Sequence, residues 1–184
     1  MLPFDFFQAA LPYDEFFAKF GKPTDRARWD HTRNRAVLAP QQVKLLGGFT
    51  RTINLLVLAG AWCGDCAGQC PLFEKFAEIA PVIVPRYLDR DAHPAAQEAL
   101  KINGGNRVPV VVFFSEDGLE VARYGERTLT TYRNLVAQLG GESCGSGLAS
   151  GDALAGIAQD WLDEFERVHC ILRLSPRLRR LHGD

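Results

Sequence analysis

The stretch that decides the fold is TINLLVLAGAWCGDCAGQCPLFEKFAEIA, residues 52–80. Its first part, from Thr52 to Ala59, is a continuous run rich in Leu and β-branched residues, which is typical of a strand buried on both faces. Apolar residues then recur at helical spacing, at Leu72, Phe73, Phe76 and Ile79. This spacing predicts a helix that begins near Cys63 and ends before Pro81. The stretch therefore predicts a buried strand that leads directly into the N-terminus of a helix.

Strands and short helices continue to alternate beyond this stretch. Residues 82–89, 109–114 and 119–124 read as strands, whereas residues 94–101 and 130–139 read as helices. The predicted order is β-α-β-α-β-β-α. It indicates an α/β fold with a central mixed sheet of about four strands flanked by helices.

The flanking segments divide the chain further. Residues 1–48 read as an N-terminal helical extension with Thr24 as an N-cap, and residues 50–140 as the central domain. Residues 141–151 form a Gly/Ser linker. Residues 152–184 predict a C-terminal amphipathic helix followed by a basic tail, Arg177, Arg179 and Arg180. The apolar stripe of that helix comprises Leu154, Ile157, Trp161, Phe165, Val168 and Leu172. Such a stripe has to cover an apolar surface, either on the central domain or on a second copy of the chain in a homodimer.

The overall composition excludes several classes of partner. The chain of 184 residues has 21 basic and 22 acidic side chains, a formal net charge of −1, so no overall field attracts nucleic acid. Its apolar runs are far shorter than the ~20 residues of a membrane span. The N-terminal segment carries Asp5 and two prolines instead of a basic leader, so we expect no export signal. Five cysteines, an odd number, fit a reducing compartment, and we expect a cytoplasmic location.

Two cysteines stand where the predicted strand meets the helix. Cys63 would lie at the helix N-terminus, where free N–H groups and the helix dipole favour the thiolate. Cys66 follows one turn later, within disulfide reach. The spacing therefore predicts Cys63 as a nucleophile with a pKa below that of a free cysteine and Cys66 as the resolving thiol.

The motif Trp62-Cys63-Gly64-Asp65-Cys66 resembles the Trp-Cys-Gly-Pro-Cys signature of the thioredoxin superfamily. Pro71 occupies the place of the proline that kinks the active-site helix of that family. Val108-Pro109 looks like the family's cis-proline, and the whole resemblance covers roughly residues 50–140.

A closer resemblance is to a bacterial thioredoxin-like subgroup with a WCGD motif and an N-terminal helical extension. Arg90-Asp91 and Asn103-Gly104-Gly105 contribute to this likeness. The sequence departs from thioredoxins at two places, where Val57 replaces the buried acid and Tyr87 replaces the neighbouring lysine. The proton shuttle usual in the family is therefore missing.

The resemblance implies a thiol–disulfide oxidoreductase that acts on protein disulfides without a cofactor, with an unidentified reductant as electron donor. It assigns catalysis to Cys63 and Cys66. It also implies that Trp62, Val108 and Pro109 shape the groove for the substrate peptide, although Trp62 placed before the motif could equally be a packing residue.

Two charged residues are expected to modulate the nucleophile. Arg107 would favour the Cys63 thiolate if it lies nearby, but a solvated loop arginine is an equal alternative. The Asp65 carboxylate would oppose ionisation of Cys63.

Other uses of the cysteines remain open. Cys70 could add a third sulfur to a zinc site with His93 nearby in sequence, although a small buried residue is the simpler interpretation. The chain could also be a non-catalytic protein-binding module. Cys144 and Cys170 are expected to be inert, and three histidines are expected at the surface: His31, His169 and His182.

Overall fold

The computed structural model describes residues 1–139 and 153–184, so the predicted linker and Cys144 lie outside the described residues. Four helices precede the first strand: α1 Asp5–Ala9, α2 Tyr13–Phe20, α3 Pro23–Arg35 and α4 Pro40–Gly47. The central part then runs β1 Ile53–Ala59, α5 Gly64–Gln69, α6 Pro71–Ile79, β2 Ile83–Asp89, α7 Pro94–Ala99, β3 Val110–Phe114, β4 Glu120–Gly125 and α8 Leu129–Gln138. The described C-terminal part contains α9 Ala153–Leu174 and α10 Pro176–His182.

The sheet has four strands in the order β2-β1-β3-β4. β1 pairs in parallel with β2 and antiparallel with β3, and β3 pairs antiparallel with β4. This mixed sheet confirms the predicted α/β fold and the predicted order of elements. β1 lies in the interior because its apolar residues are needed on both faces of the sheet.

Neighbouring residues of β3 point to the two opposite faces of the sheet. Phe113 contacts Phe165 of α9, with ring centroids 5.1 Å apart, whereas Phe114 contacts Phe4 at 5.3 Å. The C-terminal helix and the N-terminal segment therefore cover different faces of one sheet.

The C-terminal helix α9 is part of this core. Trp161, Phe165, Val168 and Leu172 are buried, and the Trp161 ring packs edge-on against Phe73 of α6 at 4.7 Å. The predicted stripe thus packs on the same chain. The sequence predicts residues 152–184 as a separate segment, but the apolar face of α9 packs against the central domain.

The N-terminal helices build a second aromatic layer beside α6. Tyr13, Phe16 and Trp29 surround the fully buried ring of Tyr87 in β2, at centroid distances of 5.5–5.9 Å. Leu11 also forms an isolated bridge with Tyr87. The extension therefore supplies core side chains as well as helical surface.

Several local predictions were wrong. α3 begins at Pro23 after Lys22, so Thr24 lies inside the first turn and is not the N-cap. The Asp25 carboxylate takes the capping role, since it accepts a hydrogen bond from the Lys22 N–H at 3.1 Å. The predicted basic tail is the helix α10, capped by the Ser175 side chain and started by Pro176.

His169 was also wrongly predicted as a surface histidine. Its ring stacks on Phe49 at 4.3 Å, and its Nε2 accepts a hydrogen bond from the Thr50 N–H at 2.9 Å. This contact ties α9 to the segment that leads into β1. Cys170 on the same helix is exposed, as its position opposite the stripe predicts.

Candidate functional site

Cys63 lies between the end of β1 and the start of α5. It is the N-cap of α5, and its Sγ accepts a hydrogen bond from the Cys66 N–H at 3.3 Å. The Cys63 thiol in turn donates to the Val108 carbonyl at 3.6 Å. Only 7% of Cys63 is exposed. The nucleophile predicted from the sequence is thus in place at a helix start, but it is nearly covered.

Cys66 and Cys70 follow on the inner face of the same helical segment. Both are fully buried. Pro71 starts α6 directly after Cys70, so it divides the predicted single helix into α5 and α6. Burial is the largest cause that raises the pKa of both inner thiols.

The expected low pKa of Cys63 is wrong for the reduced protein. Hydrogen bonding to the Cys66 thiol, followed by burial, raises the pKa of Cys63 above that of a free cysteine. The backbone N–H groups of Cys66 and Asp65 act in the opposite direction, as expected at a helix start, but they are the smaller contributions. Cys63 is therefore held as a thiol that must lose its proton before it can attack.

Val108 and Pro109 adjoin the cysteines across the sheet. The Val108–Pro109 peptide bond is cis, as the sequence predicts. Both residues are buried, and the Val108 carbonyl faces the Cys63 sulfur. The structure therefore brings together the two cysteines and the two predicted groove residues.

Trp62 is the exposed aromatic residue of the site. It is 48% exposed, and the Arg90 guanidinium lies over its ring at 4.7 Å from the centroid. A Cβ at Gly60 would lie 2.8 Å from this ring, so only glycine permits the close approach of the indole. Trp62 thus stands next to Cys63 as a fixed, solvent-facing surface.

Helix α3 holds the loop before Cys63, which the sequence analysis missed. The Trp29 indole N–H donates to the Ala61 carbonyl at 3.0 Å, and Arg28 donates to the Trp62 carbonyl at 3.0 Å. These partners are more than thirty residues apart, and no local pattern signals such contacts.

Both modulating residues form ion pairs. Asp65 pairs with Arg127 at 2.8 Å. Arg107 pairs with the buried Glu126 at 2.7 Å, so the Glu126 carboxylate compensates the charge of Arg107. Tyr132 donates to the same Glu126 carboxylate at 3.1 Å. The sequence analysis identified Asp65 and Arg107 but missed their three partners.

A second buried cluster lies one helical turn beyond Cys70. Val57 and Tyr87 are opposite each other in the β1–β2 register, as expected for the two altered positions. The Tyr87 hydroxyl donates to Glu74 Oε1 at 2.8 Å and lies 3.4 Å from the Cys70 carbonyl oxygen. Burial raises the pKa of Glu74. A carboxyl group of α6 that was not predicted from the sequence therefore lies beside Tyr87.

The zinc alternative lacks a ligand cluster in the part of the chain that the structure describes. No group of three or more His, Cys, Asp or Glu side chains within residues 1–139 and 153–184 could hold a metal ion. His93 instead uses its Nδ1 for a contact of 2.9 Å with the Asp89 carbonyl. No helix among these residues is long and apolar enough to cross a bilayer.

Comparisons with known proteins agree with this geometry. A family model described as Thioredoxin matches residues 11–139. No curated protein sequence matches the chain. A crystal structure of a protein of unknown function from Pseudomonas aeruginosa aligns with a TM-score of 0.72 at 19% identity, over 91% of this chain and 99% of that chain.

Two further solved structures are similar. An HIV epitope scaffold aligns with a TM-score of 0.68 at 16% identity, over 89% of this chain and 94% of that chain. Thioredoxin O2 from Arabidopsis thaliana, in its oxidized state, has a TM-score of 0.34 at 18% identity, over 52% of this chain and 84% of that chain. The Pseudomonas structure and the scaffold show that the fold extends over nearly the whole chain.

Proposed function

The chain belongs to the thioredoxin family, and on that premise we propose that it is a thiol–disulfide oxidoreductase that acts on protein disulfides. The proposal rests on the contact between Cys63 and Cys66, the two cysteines of the motif. Cys63 caps α5 while Cys66, one turn later, directs its N–H at the Cys63 sulfur at 3.3 Å. This contact supports Cys63 as the attacking sulfur and Cys66 as the resolving sulfur.

The reaction proceeds in two exchanges. Cys63 loses its proton and attacks one sulfur of the substrate disulfide, which releases the first substrate thiolate and forms a mixed disulfide. Cys66 then loses its proton and attacks the Cys63 sulfur, which releases the second substrate thiolate. Two electrons pass from the dithiol to the substrate, and an external dithiol of a reducing compartment such as the cytoplasm restores Cys63 and Cys66.

The groove residues support a peptide substrate. Trp62 offers an exposed ring beside the nucleophile, and Arg90 holds that ring in place. On the other side, the Val108 carbonyl faces the Cys63 sulfur, and the cis peptide bond joins it to Pro109. An extended peptide that carries a disulfide would bind between these two borders.

The raised pKa of Cys63 imposes a pH dependence on the first exchange. Since only the thiolate attacks, the rate of attack rises with pH as the thiol ionises. A rate that is independent of pH between 6 and 9 would contradict the assignment of Cys63 as a thiol in the resting protein.

A mixed-disulfide trap tests the proposal. In Cys66→Ser the first exchange survives and the second does not, so the variant accumulates a covalent complex with an oxidised protein such as insulin. Cys63→Ser is the matched control and should trap nothing. The experiment uses a Cys144→Ser/Cys170→Ser background so that these two thiols do not contribute. Because Cys70 could resolve the adduct in place of Cys66, the trap is also run in Cys66→Ser/Cys70→Ser, and absence of an adduct in both variants would reject the oxidoreductase function.

One observation favours a second candidate function. Cys63 is nearly covered and holds its proton, as in a structural thiol pair. A protein-binding module would use the same groove without electron transfer. It would bind its partner equally well in wild type and Cys63→Ser, whereas an oxidoreductase requires Cys63.

A further inference from the structure

A groove that opens to solvent separates helix α3 from the cysteine helix α5. Its volume is about 500 Å³. Four of its lining residues belong to α3 and three to α5, namely Ala27, Arg28, His31 and Thr32, and Gly64, Ala67 and Gly68. Because Gly64 directly follows Cys63, this α3–α5 groove begins beside the nucleophile of the proposed function. It is distinct from the groove between Trp62 and Val108.

The α5 wall of the α3–α5 groove has almost no side chains. A Cβ atom at Gly64 or Gly68 would meet no atom of a neighbouring element within 4 Å, so the space in front of both residues is open. The acidic residue of α5, Asp65, pairs with Arg127 at 2.8 Å and does not line the groove. This wall therefore leaves room for a bound chain and brings no negative charge to it.

Arg28 connects the α3 wall to the cysteine loop. Its guanidinium donates to the Trp62 carbonyl at 3.0 Å and pairs with Asp25 at 2.8 Å, and both contacts use the terminal nitrogen Nη2. Its Nε and Nη1 have no partner among residues 1–139 and 153–184. Since Trp62 directly precedes Cys63, Arg28 holds a cation with unused N–H groups beside the nucleophile.

The charge of the α3 wall favours an anionic ligand. The Arg28 side chain is 50% exposed, whereas that of its partner Asp25 is only 12% exposed and also accepts from the Lys22 N–H. His31 lies one turn after Arg28 on the same exposed face and lines the groove as well. No Asp or Glu is among the described residues that line the groove. The wall thus presents N–H donors without a competing carboxylate.

We propose that the α3–α5 groove binds an acidic segment of the substrate protein next to the disulfide that Cys63 attacks. The inference rests on the proposed function and adds a substrate preference to it. Arg28 is the specificity-determining residue, because a charge-assisted hydrogen bond from its guanidinium attaches a substrate carboxylate beside the cysteine loop. Substrates with Asp or Glu close to the disulfide are therefore preferred.

Peptides with an uncharged leaving group test this preference. Each peptide has one cysteine, held in a mixed disulfide with pyridine-2-thiol and flanked on both sides by Glu, Gln or Lys in otherwise equal sequences. The Cys63 thiolate attacks the peptide sulfur, the disulfide breaks, and pyridine-2-thiolate leaves with the electron pair and takes up a proton. The absorbance of the resulting thione gives the rate of the first exchange. All proteins carry Cys144→Ser/Cys170→Ser.

Wild type should react about fivefold faster with the Glu peptide than with the Gln peptide at low salt, the effect of one partly exposed ion pair, and slowest with the Lys peptide. Arg28→Gln should remove the difference between the Glu and Gln peptides and leave the rate with the Gln peptide unchanged. Arg28→Lys keeps the charge and should retain part of the preference.

Arg167→Gln is the matched control for Arg28. Arg167 also pairs with a carboxylate three residues earlier on its helix, and its side chain is 52% exposed, against 50% for Arg28. Because Arg167 belongs to α9 and does not line the groove, its variant should keep the full preference for the Glu peptide.

Gly68→Leu fills the α3–α5 groove without removing a charge, since the new side chain extends into open space. We expect the preference for the Glu peptide to disappear. Alkylation of Cys63 by iodoacetamide, which is small and uncharged, should keep its wild-type rate. Gly47→Leu in α4 is the matched control, because a Cβ there also meets nothing within 4 Å, and it should keep the preference.

Equal rates of wild type with the Glu and Gln peptides would overturn the inference, and so would a Glu preference that persists in Arg28→Gln or Gly68→Leu. If Arg28→Gln slowed all three peptides by the same factor, Arg28 would only hold the Trp62 loop, which also overturns the inference. If Cys63 releases no thione from any peptide, the proposed function itself fails, and the two failures are thus distinct.

Discussion

The indole N–H of Trp161 donates a hydrogen bond to Oε1 of Gln69 at 3.1 Å, and both side chains are buried. The Gln69 amide also donates to the Glu126 carbonyl at 3.0 Å. One side chain of the cysteine helix α5 is thus bonded to the C-terminal helix and to the loop after β4.

Gln69→Leu should lower the free energy of unfolding by about 2–3 kcal/mol, because it leaves the Trp161 N–H and the Glu126 carbonyl unpaired in the core. Chemical denaturation measures the loss. Gln159→Leu replaces an exposed glutamine on α9 and should stay within about 0.5 kcal/mol of wild type. Equal losses in the two variants would contradict the prediction.

Phe165→Ala should cost about 3–5 kcal/mol, since Phe165 is fully buried against three aromatic rings of α6 and β3. Ile171→Ala on the exposed side of the same helix is the control and should have little effect. The mass in solution is measured alongside. If Phe165→Ala instead separated a dimer into stable monomers, α9 would pack on a second copy.

Asp65→Asn should lower the pKa of Cys63, because it removes an anion near the nucleophile and leaves Arg127 with only its longer pair to Glu126 at 3.5 Å. Arg127→Gln should raise the pKa of Cys63 for the opposite reason. The rate of Cys63 alkylation as a function of pH reports both shifts. If the two variants shifted the pKa of Cys63 in the same direction, the Asp65–Arg127 pair would act on the stability of the protein and not on the ionisation of Cys63.

Acid should destabilise the protein through His169. Burial, followed by the Arg173 and Arg51 cations, lowers the pKa of His169, so the folded protein keeps the ring neutral where the unfolded chain binds a proton. The contribution of the neutral His169 ring to stability is therefore fully present above the pKa of about 6.5 that histidine has in the unfolded chain, and it is lost as the pH drops below that value.

His169→Gln tests this dependence, since glutamine can still accept from the Thr50 N–H without titrating. We expect wild type to lose more stability than His169→Gln between pH 7.5 and 5.5, as measured by denaturation at both pH values. His31→Gln should behave like wild type. Identical losses in all three proteins would remove His169 as the cause.

Much of the fold was predictable because its strongest signals are local. The apolar run 53–59 identifies a strand buried on both faces, and the helical spacing after Cys63 identifies the helix that follows. The cis bond of Val108–Pro109 was expected from the resemblance to the thioredoxin superfamily.

The charge balance of the site was not predictable because it arises from tertiary contacts. Arg127 reaches Asp65 from the loop after β4, and Arg28 reaches Trp62 from α3. Glu74 looks like an ordinary polar helix residue until Tyr87 of the neighbouring strand faces it. The shift of the Cys63 pKa was predicted in the wrong direction because only helix capping, which lowers this pKa, can be read from the local sequence. Burial and the Cys66 thiol, which raise it, act only in the folded state.

The hydrogen bond from Trp29 to the Ala61 carbonyl has a consequence for protein engineering. This bond joins the N-terminal helices to the cysteine loop, and the aromatic rings of the same helices pack around Tyr87. A fragment cut to residues 50–140 would lose the bond and expose the apolar surface around Tyr87 to water. Transplanting this cysteine pair into another protein therefore requires α3 as well as the strand and helix that carry the motif.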